Sequence, residues 1–184
     1  MPHKKRVIYE IYFPAFCKDF QDLTAKIPYF VELGVTTLWL TPIFPSPTEH
    51  GYDITDYFNI KKEYGNLTDF DTFVKKAHEN GLEVLLDLVL CHTSSEHPLF
   101  KESIKDKNDC YFWSNHMVDD TWKICNNNGK YYQAKWYYTM PQLNNQSERV
   151  RVLVRKIIQF WLIEHNVDGF RLDAIKYASG DQHI

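Results

Sequence analysis

The sequence predicts an α/β protein built on parallel strands. Three observations carry this. Short runs of β-branched and aromatic residues alternate with amphipathic helical segments, the order that gives parallel strands joined by right-handed crossovers. The run Glu83–Leu90 is apolar at nearly every position, as a strand covered on both faces must be. Polar residues suited to chemistry fall just after strand ends, where (β/α)8 barrels and open α/β sheets both place their sites.

The first strand is Val7–Phe13, rich in β-branched and aromatic residues. Leu23–Leu33 follows as a helix, with Leu23, Ile27, Phe30, Val31 and Leu33 at helical spacing. Pro28 is tolerated near its first turn, and Gly34 ends it. Thr36–Leu40 is the second strand. Thr41 to about Leu67 is a long polar stretch with Pro42, Pro45 and Pro47, of the length that marks a functional loop. Thr68 reads as the next N-cap, with Asp69 and Asp71 in the first turn where the helix dipole favours them. Phe70, Phe73, Val74 and Ala77 form the apolar face, and Gly81 supplies a left-handed stop. Glu83–Leu90 is the third strand. Cys91–Leu143 is too long for a connection and reads as an inserted subdomain. Asn145 and Glu148 resemble a capping box for a helix reaching about His165, with Val150, Leu153, Val154, Ile157, Ile158 and Trp161 inward. Val167–Leu172 is the fourth strand.

Composition excludes several classes. The 184 residues fit one domain of ordinary size. Lys and Arg number 21 against 24 Asp and Glu, a net charge of -3, so no nucleic-acid partner is expected. Hydrophobic residues at 44% and charged residues at 24% exclude general disorder. No apolar run is long enough for a membrane span. The polar, basic start, Met1–Arg6, leads into no apolar signal segment, so a cytoplasmic address with reduced thiols is expected. Cys17, Cys91, Cys110 and Cys125 are widely spaced. Cys91, His92 and His97 lie close together, but zinc sites show tighter paired spacing. Aromatic residues reach 16%, which suits a core and a flat, hydroxyl-rich ligand equally. No Gly-rich loop follows the first strand, and no Gly-x-Ser-x-Gly elbow occurs.

Three segments could carry chemistry. In Asp87–Ser94, Asp87 sits inside an apolar strand, where a charge is costly unless paired. It is either a structural carboxylate on a cationic partner or a site group. His92 follows the strand end as a ligand donor or a packing residue. In Gly169–Lys176, strand alternation puts Arg171 and Asp173 on one side of the sheet. A guanidinium near Asp173 keeps a carboxylate ionised and nucleophilic, or the two form a structural pair. In Glu49–Tyr57, Tyr52 is a sugar-stacking ring or a structural tyrosine, and Gly51 permits close backbone approach.

Taken together, these segments resemble the α-amylase family, glycoside hydrolase family 13. The resemblance covers nearly the whole chain. It runs through Tyr9–Tyr12, Leu33–Ile43, Gly51–Asp53, Ala77–Leu82, Asp87–Ser95, Met140–Asn144 and Gly169–Lys176, in order and with matching spacing. The α-glucosidase and oligo-1,6-glucosidase branch is closest, from His92–Pro98. The resemblance implies the N-terminal half of a (β/α)8 TIM barrel with an irregular subdomain inserted after the third strand. Residues 1–90 are then the first three β/α units, 91–144 the insertion, and 145–184 the third helix and fourth strand. Asp173 matches the nucleophile of a retaining mechanism, and Arg171 the residue that orients and ionises it. His92 matches a sugar-contacting histidine, Tyr52 its stacking platform, and Asp87 a supporting carboxylate. Lys176 matches a position on the acceptor side. Glu49 stands where exo-acting members often carry an Asp that reads the sugar's free end.

Departures from the family pattern shape further expectations. Cys91 replaces an Asn, Gln142 an Asp, and Tyr177 the His of calcium-binding amylases. Cys and Tyr are poor calcium ligands, so no metal and no cofactor are expected. The expected substrate is an oligosaccharide with α-linked glucose. The family's general acid follows a fifth strand, beyond this chain, so the chain is expected to be inactive alone. Self-association through the open half barrel is expected too. The alternative is an inactive fragment or a non-catalytic, sugar- or partner-binding relative.

Overall fold

The computed structural model describes residues 5–106 and 108–178. Strand β1 spans Ile8–Ile11 and stops short of the Phe13 its composition predicts. Phe13–Phe16 is instead a short helix, α1, with Pro14 in its first turn. Proline has no N–H for a strand ladder, while its fixed φ suits a helix start. The single helix predicted over Leu23–Leu33 is two: α2, Phe20–Ala25, and α3, Ile27–Glu32. Pro28 gives the reason. It cannot bond the carbonyl four residues back and its ring crowds that carbonyl, so the chain turns before it. Asp19 caps α2 by accepting the Asp22 N–H at 2.7 Å.

Strand β2 is Thr37–Leu40. Helix α4, Leu67–Glu79, is capped by Asn66 rather than by Thr68. Asn66 Oδ1 accepts the Thr68 and Asp69 N–H groups at 2.9 and 3.2 Å, and Asp69 Oδ2 accepts the Asn66 N–H at 3.1 Å. This reciprocal box satisfies donors the helix start leaves open. Gly65 precedes it at φ +117°, and a Cβ there would lie 2.8 Å from Asp69 Oδ2. Phe70, Phe73, Val74 and Ala77 are buried, as the periodicity predicts.

Strand β3, Glu83–Val89, is buried along most of its length. Helix α6 covers Glu148–Gln159 and continues as a π turn over Phe160–Glu164. Glu148 is its first helical residue, not its third. The Asn145 side chain donates to the Leu90 carbonyl at 2.9 Å, so the predicted Asn145–Glu148 box does not form. Strand β7, Gly169–Asp173, completes a sheet of order β1-β2-β3-β7. β1 and β2 pair in parallel, as do β2 and β3. A Cβ on Gly169 would meet Leu85 at 3.2 Å, so glycine lets these two strands approach.

The chain divides into two compact units. The first takes in the chain through Pro45, Phe58–Leu88 and Ile158–Arg171. Its core is aromatic: Phe70 meets Phe20 and Trp161 edge-on at 5.3 and 5.2 Å. Edge-to-face pairs add to the area they bury.

The second unit takes in Ser46–Tyr57, Val89–Ile157 and the chain from Leu172. Helix α5, Pro98–Lys105, lies beside an antiparallel sheet of order β4-β6-β5 in this unit. Its strands are β4, Trp113–Ser114, β5, Trp122–Cys125, and β6, Lys130–Gln133. Phe100, Cys110, Tyr111, Cys125, Tyr132 and Leu143 belong to its buried core. All four cysteines are buried free thiols. No helix among the described residues is long and apolar enough to cross a membrane.

His97 makes the stability of this unit pH-dependent. Its Nδ1 accepts the Leu99 N–H at 3.1 Å and so caps α5. Burial lowers its pKa from 6.5 to about 4, keeping the ring neutral and the lone pair available. The unfolded chain protonates His97 near 6.5 and therefore binds more protons below that pH. The stabilisation is complete above that value and is lost as pH falls toward 4, up to roughly 3 kcal/mol. His97→Asn keeps a capping acceptor without the titration. It should flatten the dependence of Tm on pH across that window, and an unchanged slope would count against the assignment.

Candidate active site

In the first unit, three neighbouring strands bring one cluster together. Asp87 on β3 is 1% exposed, the carboxylate inside an apolar strand that the sequence singles out. Its cationic partner is Arg171 on β7. Arg171 Nη1 donates to Asp87 Oδ1 at 3.0 Å and to Oδ2 at 3.2 Å. The guanidinium lies over the Trp39 ring of β2, 4.9 Å from its centroid. A buried carboxylate is tolerated here because its charge is matched and its oxygens are bonded.

In the second unit, the loop Ser46–Tyr57 meets the segment after β3. His92 is 3% exposed. Its Nε2 lies 3.0 Å from the Tyr52 carbonyl, which only accepts, so Nε2 carries a proton and donates. Burial lowers the His92 pKa, against the opposing influences of the Tyr52 carbonyl bond and the Asp173 charge. The ring is therefore neutral, and Nδ1 holds a lone pair. That atom is buried and has no hydrogen-bond partner among the described residues. Ser94 N–H donates to the Ile54 carbonyl at 2.9 Å, and Tyr57 Oη donates to the Val89 carbonyl at 2.9 Å. These bonds fix the loop against the strand end.

Asp173 is the last residue of β7, and Ala174 after it is left-handed at φ 43°. That conformation costs an L-residue about 1–2 kcal/mol. Cys91 holds the turn: its thiol donates to the Ala174 carbonyl at 3.1 Å and to the Asp173 carbonyl at 3.4 Å. Burial, and then the Asp173 charge, push the Cys91 thiol up to about 12, so it keeps its proton. Gln142 Nε2 donates to the Tyr177 carbonyl at 3.2 Å. Two of the departures from the family pattern, Cys91 and Gln142, thus both bond main-chain carbonyls of the segment 173–177. Lys176 is exposed, its ammonium 4.8 Å from the Tyr177 ring centroid. Glu49 is exposed, and no hydrogen bond or ion pair ties it to the other candidates among the described residues.

Two residues of this unit are given no role by sequence reasoning. The Trp136 ring lies 4.9 Å from the His92 ring and 5.2 Å from the Tyr177 ring. The aromatic run Trp136–Tyr138 was the available signal, but aromatic residues are common throughout this chain. Asp53 is wholly buried, accepts from Ser46 and Thr48 through Oδ1, and leaves Oδ2 without a hydrogen-bond partner among the described residues.

Parallel strands in sequence order with helices between them are the building pattern of an α/β barrel. The chain belongs to the α-amylase family: the family's catalytic-domain profile matches residues 15–184. Alpha-amylase 3 of Dictyoglomus thermophilum is 41% identical over 97% of this chain and 38% of that protein. An alpha-glucosidase of Schizosaccharomyces pombe is 38% identical, over 96% of this chain and 35% of its own length. The structure of Eubacterium rectale Amy13B matches with a TM-score of 0.89 at 38% identity, covering 95% of this chain and 38% of that one. The described sheet is thus part of a (β/α)8 barrel, and the chain spans a little over a third of the length of these relatives.

Proposed function

We propose that this chain carries the nucleophile part of a retaining glycosidase site for α-linked glucose. The observation that carries it is Asp173, placed last on β7 in a chain of the α-amylase family. An Asp173 carboxylate oxygen bonds the anomeric carbon as the glycosidic carbon–oxygen bond breaks, and the departing oxygen takes a proton from a general acid. Water then attacks the anomeric carbon, giving a proton back to the same general acid, now the base, as the bond to Asp173 breaks and frees its carboxylate. No residue of this chain is assigned as the acid. Arg171 stands two positions before Asp173 in the chain and is held by Asp87. His92 contacts the sugar, Tyr52 stacks on the ring, Lys176 faces the acceptor and Glu49 the free end.

The test is a probe whose leaving group needs no proton, 5-fluoro-α-D-glucosyl fluoride. Intact-mass analysis should show one fluoroglucosyl unit added, and peptide mapping should place it on Asp173. An adduct on another residue overturns the reading. No adduct together with measurable maltose binding replaces it with a non-catalytic sugar-binding role.

We also place the chain in the cytoplasm, on its four free buried thiols, which cell fractionation checks. Self-association belongs to the same reading. β1 and β7 are the sheet's edges, and they carry Ile8 at 54% and Leu172 at 45% exposure. A monodisperse monomer at every concentration in size-exclusion chromatography would remove it.

A further inference from the structure

The second unit contains a cavity that no candidate site residue lines. Its volume is about 480 Å3, within the range of roughly 300–1,000 Å3 typical of small-molecule sites. It lies between the end of α5, the segment Asn108–Trp113 and the start of β6.

Two of its lining residues hold buried hydrogen-bond donors with no partner among the described residues: Asn108 Nδ2 and Trp113 Nε1. A buried donor left unbonded costs about 1–3 kcal/mol, so two beside one cavity call for an acceptor. Lys105 and Lys130 also line it, and neither makes an ion pair among the described residues. The lining has one carboxylate, Asp109, and its Oδ1 already accepts the Ser147 hydroxyl at 2.8 Å. The charge balance of the lining is therefore positive.

The apolar wall is rigid and flat. Trp113 is stacked on Phe100 at 5.6 Å with 8° between the rings, and Tyr111 meets Phe100 edge-on at 5.0 Å. Tyr111 Oη is also bonded to the Thr93 hydroxyl at 2.8 Å. Aromatic side chains held in this way favour a planar partner, while the donors favour an anionic one.

We propose that this cavity binds a small organic oxyanion, a carboxylate or a phosphate monoester carried on a flat body. The charged end meets Lys105, Lys130 and the two free N–H donors, and the flat end rests on the Tyr111–Trp113 wall. This site is separate from Asp173 and does not depend on glycosidase activity.

Calorimetric titration of the whole chain in phosphate-free buffer tests it. The probes are p-nitrophenyl phosphate and p-nitrobenzoate, with inorganic phosphate and glucose for comparison. At least one aryl anion should bind saturably at one site, and the tighter of the two identifies the headgroup. Inorganic phosphate should bind at least about 10-fold more weakly, having no flat body. The double variant Lys105→Met, Lys130→Met should weaken the aryl anion about 10-fold or more. Trp113→Phe keeps a ring on Phe100 but deletes the donor, and should weaken it roughly 5-fold. Excess maltose should leave the titration unchanged. Absence of saturable binding by both aryl anions overturns the proposal. So does glucose binding as tightly, displacement by maltose, or an affinity indifferent to the lysine variants.

Discussion

Asp173→Asn is expected to abolish fluoroglucosyl-enzyme formation, with a rate loss on the order of 10⁴-fold or more. The amide has nearly the shape of the carboxylate but neither its charge nor a nucleophilic oxygen of comparable strength. The surroundings should persist, because Cys91 bonds the main-chain carbonyls of residues 173 and 174 rather than the carboxylate. Tm should therefore move by only a few degrees, which separates lost chemistry from lost folding. Asp173→Ala should behave in the same way and guards against slow hydrolysis of the amide back to Asp. Trapping of either variant at the wild-type rate would falsify the assignment of the nucleophile. Fluoride as the leaving group makes this result independent of the unassigned acid.

Arg171→Met should strongly destabilise the first unit. It leaves the Asp87 carboxylate, whose side chain is 0% exposed, without the guanidinium that donates to both of its oxygens. Removing one partner of a fully buried ion pair costs about 3–5 kcal/mol. The Arg171 side chain is 36% exposed, so solvent screens part of this, and about 2–4 kcal/mol is expected. For a chain of this size that is a fall in Tm of roughly 5–15 °C. Adding Asp87→Asn to Arg171→Met should recover part of the loss, because the uncompensated charge is then gone. A loss below about 1 kcal/mol in the single variant would show that Asp87 is satisfied without the guanidinium.

Both variants concern residues visible in the sequence, yet they were visible in different ways. Asp87 stood out because a charge interrupts an apolar strand, and the demand for a cation followed from desolvation alone. Which cation meets it was settled by strand order, since 84 positions separate Asp87 from Arg171. The helices show the same division. The apolar face of α4 followed from spacing, but its cap lies at Asn66 because Asp69 reaches back to the Asn66 N–H. Pro28 could be tolerated in a helix's first turn; the fold makes that turn the start of a second helix.

The sequence by itself determined the alternation of strands and helices, the apolar faces, and an ordered motif set specific enough for family resemblance. These follow from interactions among residues a few positions apart, where backbone geometry fixes who meets whom. Tertiary structure alone decided that Cys91 and Gln142 hold the segment 173–177, and that Trp136 lies beside His92. It also decided that two residues with buried, unbonded N–H donors, Asn108 and Trp113, line one cavity. The physical reason is that such contacts depend on strand order, loop path and burial. Unmet hydrogen bonds and unpaired charges acquire their cost only once folding has removed water from around them.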